Sequence, residues 1–148
     1  YVNELLLRLS PRFDSNPELF ASYGVTLQAI SEGKDVETSL RRFELDLLNQ
    51  LGYQINWRKD SQRSDIHPSR VYRYATGDGF EVVESSEGIL GSELQAISLW
   101  VDGQSTLGDT TEKIVRQVTR RSIDELLGGR PLNVRAVARQ WSEQKVDK

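Results

Sequence analysis

The chain has 148 residues, of which 37% are hydrophobic and 28% are charged. This length suits one domain that buries an ordinary hydrophobic core. It has no cysteine and a single histidine, His67, which excludes disulfides, thiolate zinc sites and any site built on two histidines. No apolar run approaches the ~20 residues of a membrane span, so we expect a cytoplasmic protein without a membrane partner.

The net charge of −3 is distributed unevenly along the chain. Residues 1–112 hold ten Lys or Arg against eighteen Asp or Glu, whereas residues 113–148 hold nine against four. An acidic body with a basic C-terminal part suggests that this part meets a polyanion. An exposed amphipathic helix that happens to be basic gives the same pattern, and charge alone does not separate the two readings.

The first half of the chain predicts three helices. The first covers residues 1–9, and because Tyr1 already belongs to its apolar pattern, we expect further chain upstream. The second begins near Ser15 or Asn16 and runs to about Glu32. A third follows a short loop, with Asp35 as its N-cap and its end at Gly52.

The second half predicts a polar loop, a hairpin and three more helices. In "RVYRYATGDGFEVV" two runs of strand formers flank a turn, which is typical of a β-hairpin. Ser92 is expected to cap the helix "GSELQAISLW". Asp109 or Thr110 should cap a long helix that stops at Gly128, and "LNVRAVARQW" should form the last one. The fold class is therefore mostly α, a helical bundle domain with one small β-hairpin.

Two adjacent arginines in "LRRFELDLLNQLGY" fall on different faces of the third helix. Its core stripe comprises Val36, Leu40, Phe43, Leu47 and Leu51. Arg42 lies opposite this stripe, where it should pair with Asp46 in water. Arg41 lies in a second apolar strip with Leu45 and Leu48. Its planar guanidinium needs a carboxylate, which comes either from Glu37 or Glu44 or from a ligand that also covers the leucines.

Basic residues cluster on the long helix and beyond it. They are candidate phosphate contacts: Lys113, Arg116, Arg120, Arg121, Arg130, Arg135 and Arg139. Few aromatic residues accompany them, so contacts should be to phosphates and show little sequence preference. The competing reading is a solvated face without a partner. We find no catalytic constellation, because the sole histidine lies in a polar loop, and we expect a protein that is not an enzyme.

Three stretches resemble the RecO family of bacterial DNA repair and recombination mediators. They are "YVNELLLRL", "LRRFELDLLNQLGY" and "LGGRPLNVRAVARQ", at residues 1–9, 40–53 and 127–140. The similarity is to the C-terminal helical part of those proteins and covers nearly the whole chain, residues 1–148. No stretch resembles the N-terminal OB-fold of that family, which we expect in the chain upstream of residue 1. Many relatives hold a zinc with four cysteines after the "LGY" motif, and this chain has none there.

The resemblance implies a function for the two sets of residues above. RecO proteins bind single- and double-stranded DNA, anneal complementary strands, and work with RecR to load RecA on DNA coated by the single-stranded DNA-binding protein. Some bind that protein's acidic C-terminal tail, which ends in Phe. Such a tail fits the ligand described for Arg41, with Leu45 and Leu48 beneath the Phe and Lys34 near its aspartates. A pure protein-docking module, with no DNA binding of its own, is the alternative.

Overall fold

The computed structural model describes residues 1–10 and 16–134. Within these ranges the chain forms five helices and three short strands. In chain order they are α1 (Val2–Leu9), α2 (Pro17–Glu32), α3 (Val36–Gln50), β1 (Val71–Ala75), β2 (Gly79–Val83), β3 (Ile89–Leu90), α4 (Gly91–Val101) and α5 (Asp109–Leu126). The prediction of a mostly α domain is confirmed. No helix in these two ranges is both long enough and apolar enough to cross a bilayer.

Local signals set the ends of α2. The side chain of Asn16 accepts a hydrogen bond of 3.0 Å from the backbone N–H of Leu19, which satisfies one of the free donors of the first turn. Gly33 ends the helix with φ of 65°, a left-handed conformation that glycine adopts without a steric penalty. Asp35 is the N-cap residue of α3, as predicted, although its side chain makes no capping hydrogen bond.

The sheet has three strands in the order β2-β1-β3, all antiparallel. The two predicted strands pair, with Tyr72 opposite Val82 and Tyr74 opposite Phe80. On its other side Tyr72 pairs with Ile89 of β3, so the predicted pair of strands belongs to a three-stranded sheet and is not a separate hairpin. A two-residue strand is too short to show the alternation by which strands are recognised in a sequence. Tyr72, Tyr74, Phe80 and Ile89 are buried in the core.

The polar segment before the sheet has a defined conformation. Trp57 and Ile66 are buried and fix its two ends to the core. Between them, Asp60 Oδ1 accepts hydrogen bonds of 2.9 Å from the backbone N–H groups of both Gln62 and Ser64. These local side-chain to backbone bonds add to the backbone hydrogen bonds of the segment, such as Asp60 N–H to Ser64 O at 2.8 Å.

The beginning of α4 differs from the prediction. Ser92 lies inside the helix and is not its cap, because α4 begins at Gly91 and no side chain caps it. Carbonyls of the loop before β1 accept from the first two N–H groups of the helix instead. Gly91 N–H donates to Arg70 O at 2.8 Å, and Ser92 N–H donates to Pro68 O at 3.0 Å.

The beginning of α5 is also shifted from the prediction. Gly108 is the N-cap residue, not Asp109 or Thr110, and its N–H donates to Thr111 Oγ1 at 3.0 Å. The helix ends at Leu126, shortly before the predicted stop at Gly128. Of the last predicted helix, Asn133 and Val134 have helical backbone, and the rest lies outside the described residues.

The core lies where α3 packs between α2 and α5. Phe43 and Leu47, the centre of the predicted stripe, are completely buried. Leu48 is completely buried as well, because α5 covers the second apolar strip of α3. This packing also covers the guanidinium that the sequence placed in that strip.

Candidate functional site

Arg41 is buried, with 4% of its surface exposed. Its Nη2 donates to Glu44 Oε1 at 3.1 Å, and its Nε lies 3.0 Å from Glu44 Oε2 without being aimed at it. Its Nη1 donates to Glu112 Oε1 at 3.3 Å. Of the two internal partners considered for Arg41, the structure therefore contains Glu44 and not Glu37. It adds Glu112 of α5, which no local pattern indicates.

Glu44 is 2% exposed and accepts from three side chains. Besides Arg41, the hydroxyl of Thr119 on α5 donates to its Oε2 at 2.6 Å, and the hydroxyl of Tyr1 donates to its Oε1. A buried carboxylate is tolerated when a cation and hydrogen-bond donors surround it, as they do here. This cluster joins α3, α5 and the residue that precedes α1, so it fixes the position of α5 on the core.

The residues proposed for the acidic tail have different surroundings. Lys34 is exposed in the turn between α2 and α3, whereas Leu45 is half-buried and Leu48 is fully buried. The guanidinium of Arg41 is already occupied by two carboxylates. Glu112 is the more accessible of these, with 16% of its side chain exposed against 3% for Glu44.

Arg42 contacts the end of α4, and the prediction of a solvent pair with Asp46 is wrong. Its Nη1 donates to Val101 O at 3.0 Å and its Nη2 donates to Trp100 O at 2.9 Å. The guanidinium also lies 4.2 Å from the centre of the Trp100 ring. A cation at the C-terminus of a helix satisfies carbonyls that have no partner within the helix. The helical periodicity of α3 could not predict this contact, because it gives no information about the position of α4.

Helix α5 carries a row of four exposed cations, which we call the basic row: Lys113, Arg116, Arg120 and Arg121. They border one shallow depression together with Gln117 and Asp124. The opposite face of the helix, with Ile114, Val115 and Val118, is buried. All four side chains are exposed to solvent.

The remaining basic candidates follow α5. Arg130 is exposed, and its Nε donates to Leu127 O at 3.4 Å, a contact at the long limit for a hydrogen bond. Arg135 and Arg139 lie outside the described residues. The structure therefore brings together the four cations of one helix and places a fifth in the turn beyond it.

A contact between α1 and residues 131–134 was not predicted from the sequence. Glu4 accepts hydrogen bonds from the backbone N–H groups of Asn133, at 2.8 Å, and Val134, at 3.2 Å. Arg8 lies 3.0 Å from Glu4 and donates to Pro131 O at 2.9 Å. The Asn133 hydrogen bond is the largest influence that lowers the pKa of Glu4 below its ordinary value. The i,i+4 spacing of Glu4 and Arg8 could indicate their pairing, but not the partner across the fold.

Comparison with known proteins identifies the family. The family model "Recombination protein O C terminal" matches residues 1–136. A "DNA repair protein RecO" of Methylococcus capsulatus is 35% identical over 144 residues, which cover 96% of this chain and 58% of that protein. Proteins of the same name from Alkalilimnicola ehrlichii and Pseudomonas aeruginosa are 38% and 37% identical, covering 95% and 89% of this chain and 56% of each relative. The chain spans less than two thirds of these relatives, and it belongs to the recombination protein O C-terminal family.

Proposed function

We propose that this chain is the C-terminal domain of a cytoplasmic DNA repair and recombination mediator, and that it binds DNA without catalysing a reaction. The observation that carries the proposal is the basic row of α5, four cations exposed on one helix whose other face is buried. The names of the relatives, all DNA repair proteins, point to the same process.

Phosphates are the DNA groups that the basic row is suited to contact. Guanidinium groups bind phosphate through charge-assisted hydrogen bonds, which do not depend on the base. Stacking side chains are scarce around the row, so single strands of any sequence should bind alike. Because the cluster around Glu44 holds α5 on the core, the row is presented as a fixed surface. Annealing of complementary strands would use such sequence-independent contacts.

A salt titration with matched variants tests this proposal. Arg116→Gln/Arg120→Gln removes two charges from the row, and Lys34→Gln/Arg70→Gln removes two exposed charges elsewhere. Each lost phosphate contact should lower the log–log salt slope for single-stranded DNA by ~0.7. We expect a slope smaller by about 1.4 for the first variant and little change for the second. Equal slopes for both variants would mean that the basic row attracts DNA only through its general charge and makes no particular phosphate contacts.

Partner proteins form a second part of the proposal. We propose that the domain binds the acidic tail of the single-stranded DNA-binding protein and cooperates with RecR in loading RecA. A carboxylate of the tail would replace Glu112 at Arg41 Nη1, because this partner is the more exposed and its contact, at 3.3 Å, is the longer. Half-buried Leu45 would then contact the terminal Phe, and exposed Lys34 an aspartate of the tail.

The alternative is a docking module in which all DNA contact belongs to another part of the protein. The partly exposed Glu112 at Arg41 is the observation that favours docking. The two readings differ in one measurement. A docking module binds the tail peptide and leaves labelled single-stranded DNA unbound at low salt, whereas a DNA-binding domain binds both.

A further inference from the structure

Glu112 lies at the border between the basic row and the buried face of α5. At 3.6 residues per turn it is about 40° around the helix from Arg116 and about 20° in the other direction from Thr119. Arg116 is exposed and Thr119 is completely buried. From this position a flexible glutamate side chain can turn either towards the row or towards α3. In the structure it turns towards α3, where Arg41 Nη1 donates to its Oε1 at 3.3 Å.

Arg116 is the partner that helical spacing offers to Glu112. Side chains four residues apart lie on one face of a helix, and a glutamate that precedes a cation by four is the favourable order for an ion pair. Such a pair would occupy a guanidinium that borders the depression of the basic row. The contact with Arg41 therefore competes with a contact that would take one cation away from the row.

Arg41 is the stronger of the two competitors for this carboxylate. Its side chain is 5% exposed, whereas Arg116 lies in water. Water and salt weaken an ion pair at an exposed position much more than at a buried one. Glu44 accepts from Arg41 Nη2 at 3.1 Å on the other side, so the guanidinium presents Nη1 to Glu112 as a fixed donor.

We propose that Arg41 is a positioning residue for DNA binding, which holds Glu112 away from Arg116 so that this cation of the basic row can contact a phosphate. The inference rests on the proposed function and adds to it a buried arginine and a glutamate, neither of which contacts DNA. One helix carries both Glu112 and the row, so a change at Arg41 affects DNA binding within a single helical turn.

Release of Glu112 should weaken DNA binding at low salt. As an exposed ion pair with Arg116, it would lower the affinity by about twofold, because the phosphate has to displace it. As a free carboxylate about 7 Å from a phosphate, it would lower the affinity by about two- to threefold through repulsion in water. We therefore expect a loss of about two- to fivefold, which decreases as salt screens both effects.

The experiment releases Glu112 without changing the net charge. Arg41→Met/Glu44→Gln, which we call the released variant, removes one charge of each sign. The amide oxygen introduced at position 44 can still accept from Thr119 and hold α5 on the core. Parent and released variant are compared with and without Glu112→Gln, in the 148-residue chain, by fluorescence anisotropy of a labelled oligothymidylate at several salt concentrations. Glu112→Gln should restore the parent affinity to the released variant.

Glu37→Gln is the matched control, since it removes the same charge from an exposed position of α3. In the parent, Glu112→Gln and Glu37→Gln should have similar small effects, because Arg41 already neutralises Glu112. In the released variant only Glu112→Gln should restore binding. Circular dichroism and thermal melting confirm that the variants compared are folded. If the released variant is unfolded, Arg41→Met/Glu44→Leu replaces it, because apolar side chains in place of a buried ion pair usually preserve the fold.

The outcomes separate this inference from the proposed function. If the parent chain does not bind DNA, the proposed function fails and the inference fails with it. If the parent binds and the folded released variant binds equally well, only the positioning role of Arg41 is overturned. A loss that Glu112→Gln does not restore would come from a displaced α5, and equal restoration by Glu37→Gln would come from general charge. Either result would also overturn the positioning role.

Discussion

Thr119 of α5 donates a 2.6 Å hydrogen bond to the carboxylate of Glu44 of α3, and both side chains are buried. The same carboxylate carries the charge that balances Arg41. One buried glutamate thus links the helix that bears the basic row to the centre of the core. These contacts hold the two helices in their relative position.

We expect Glu44→Ala to destabilise the domain strongly. It leaves the buried guanidinium of Arg41 with only its long contact to Glu112 and removes the acceptor of Thr119. Removing one partner of a buried ion pair typically costs ~3–5 kcal/mol. Urea unfolding measures this loss. The control Arg41→Met/Glu44→Leu, which removes both charges, should be far less destabilised, and a loss of under ~1 kcal/mol for Glu44→Ala would contradict the prediction.

Arg42→Ala should lower the free energy of unfolding by about 2 kcal/mol, because charge-assisted bonds to two carbonyls and a contact with Trp100 are lost. Asp46→Ala is the matched control, since Asp46 was the partner expected in solvent. It should cost under ~0.5 kcal/mol. Denaturant titration of both variants gives the comparison. Equal losses of unfolding free energy in the two single variants, with no additional loss in the double variant, would support an Arg42–Asp46 ion pair instead.

The tail proposal predicts that Glu112→Gln strengthens binding of an acidic peptide that ends in Phe. Glu112 competes with the peptide for Arg41 Nη1, and its neutral analogue competes less well. Arg41→Ala should weaken binding by ~2 kcal/mol, or about thirtyfold, and deletion of the terminal Phe should have a similar effect. Anisotropy of the labelled peptide measures all three, and circular dichroism confirms that each variant is folded, because Arg41→Ala also leaves the buried Glu44 without its cation.

Glu37→Gln is the control for the tail experiment. Glu37 is exposed one turn before Arg41 and does not contact it. Its replacement by Gln changes the net charge by the same amount as Glu112→Gln does. A specific exchange at Arg41 predicts a gain for Glu112→Gln that clearly exceeds the gain for Glu37→Gln. Similar gains would indicate general attraction of the acidic peptide, and unchanged binding in Arg41→Ala would leave Arg41 as a purely internal cation.

Prolonged treatment with EDTA should leave the melting temperature unchanged. The chain has no cysteine and one histidine, so the usual ligands of structural zinc are missing. The segment between Trp57 and Ile66 is held by buried apolar side chains and by the hydrogen bonds of Asp60. Scanning fluorimetry with and without chelator checks this. Stoichiometric zinc in elemental analysis, together with a fall in melting temperature, would contradict it.

Residues close together in the chain were predictable where their spacing sets their neighbours. The bounds of α2 follow from Asn16 and Gly33, and Phe43 and Leu47 fall on one buried stripe because they are four residues apart. The exposed side of α5 follows from the same helical period. The rule that a serine caps the start of a helix did not hold for α4. Backbone carbonyls of the loop before β1, and not Ser92, accept the first hydrogen bonds of this helix.

The sequence by itself determined which side chains share a face, since the 3.6-residue period of a helix fixes that locally. Only the tertiary structure decided what each face meets. Arg41 and Arg42 are neighbours in the chain, yet one binds Glu112 of α5 and the other the end of α4, at separations of 71 and 58 to 59 residues. Glu4 meets Asn133 across 129 residues. Such partners depend on how whole helices pack, and packing is set by the shape of the complete core, which no local period encodes.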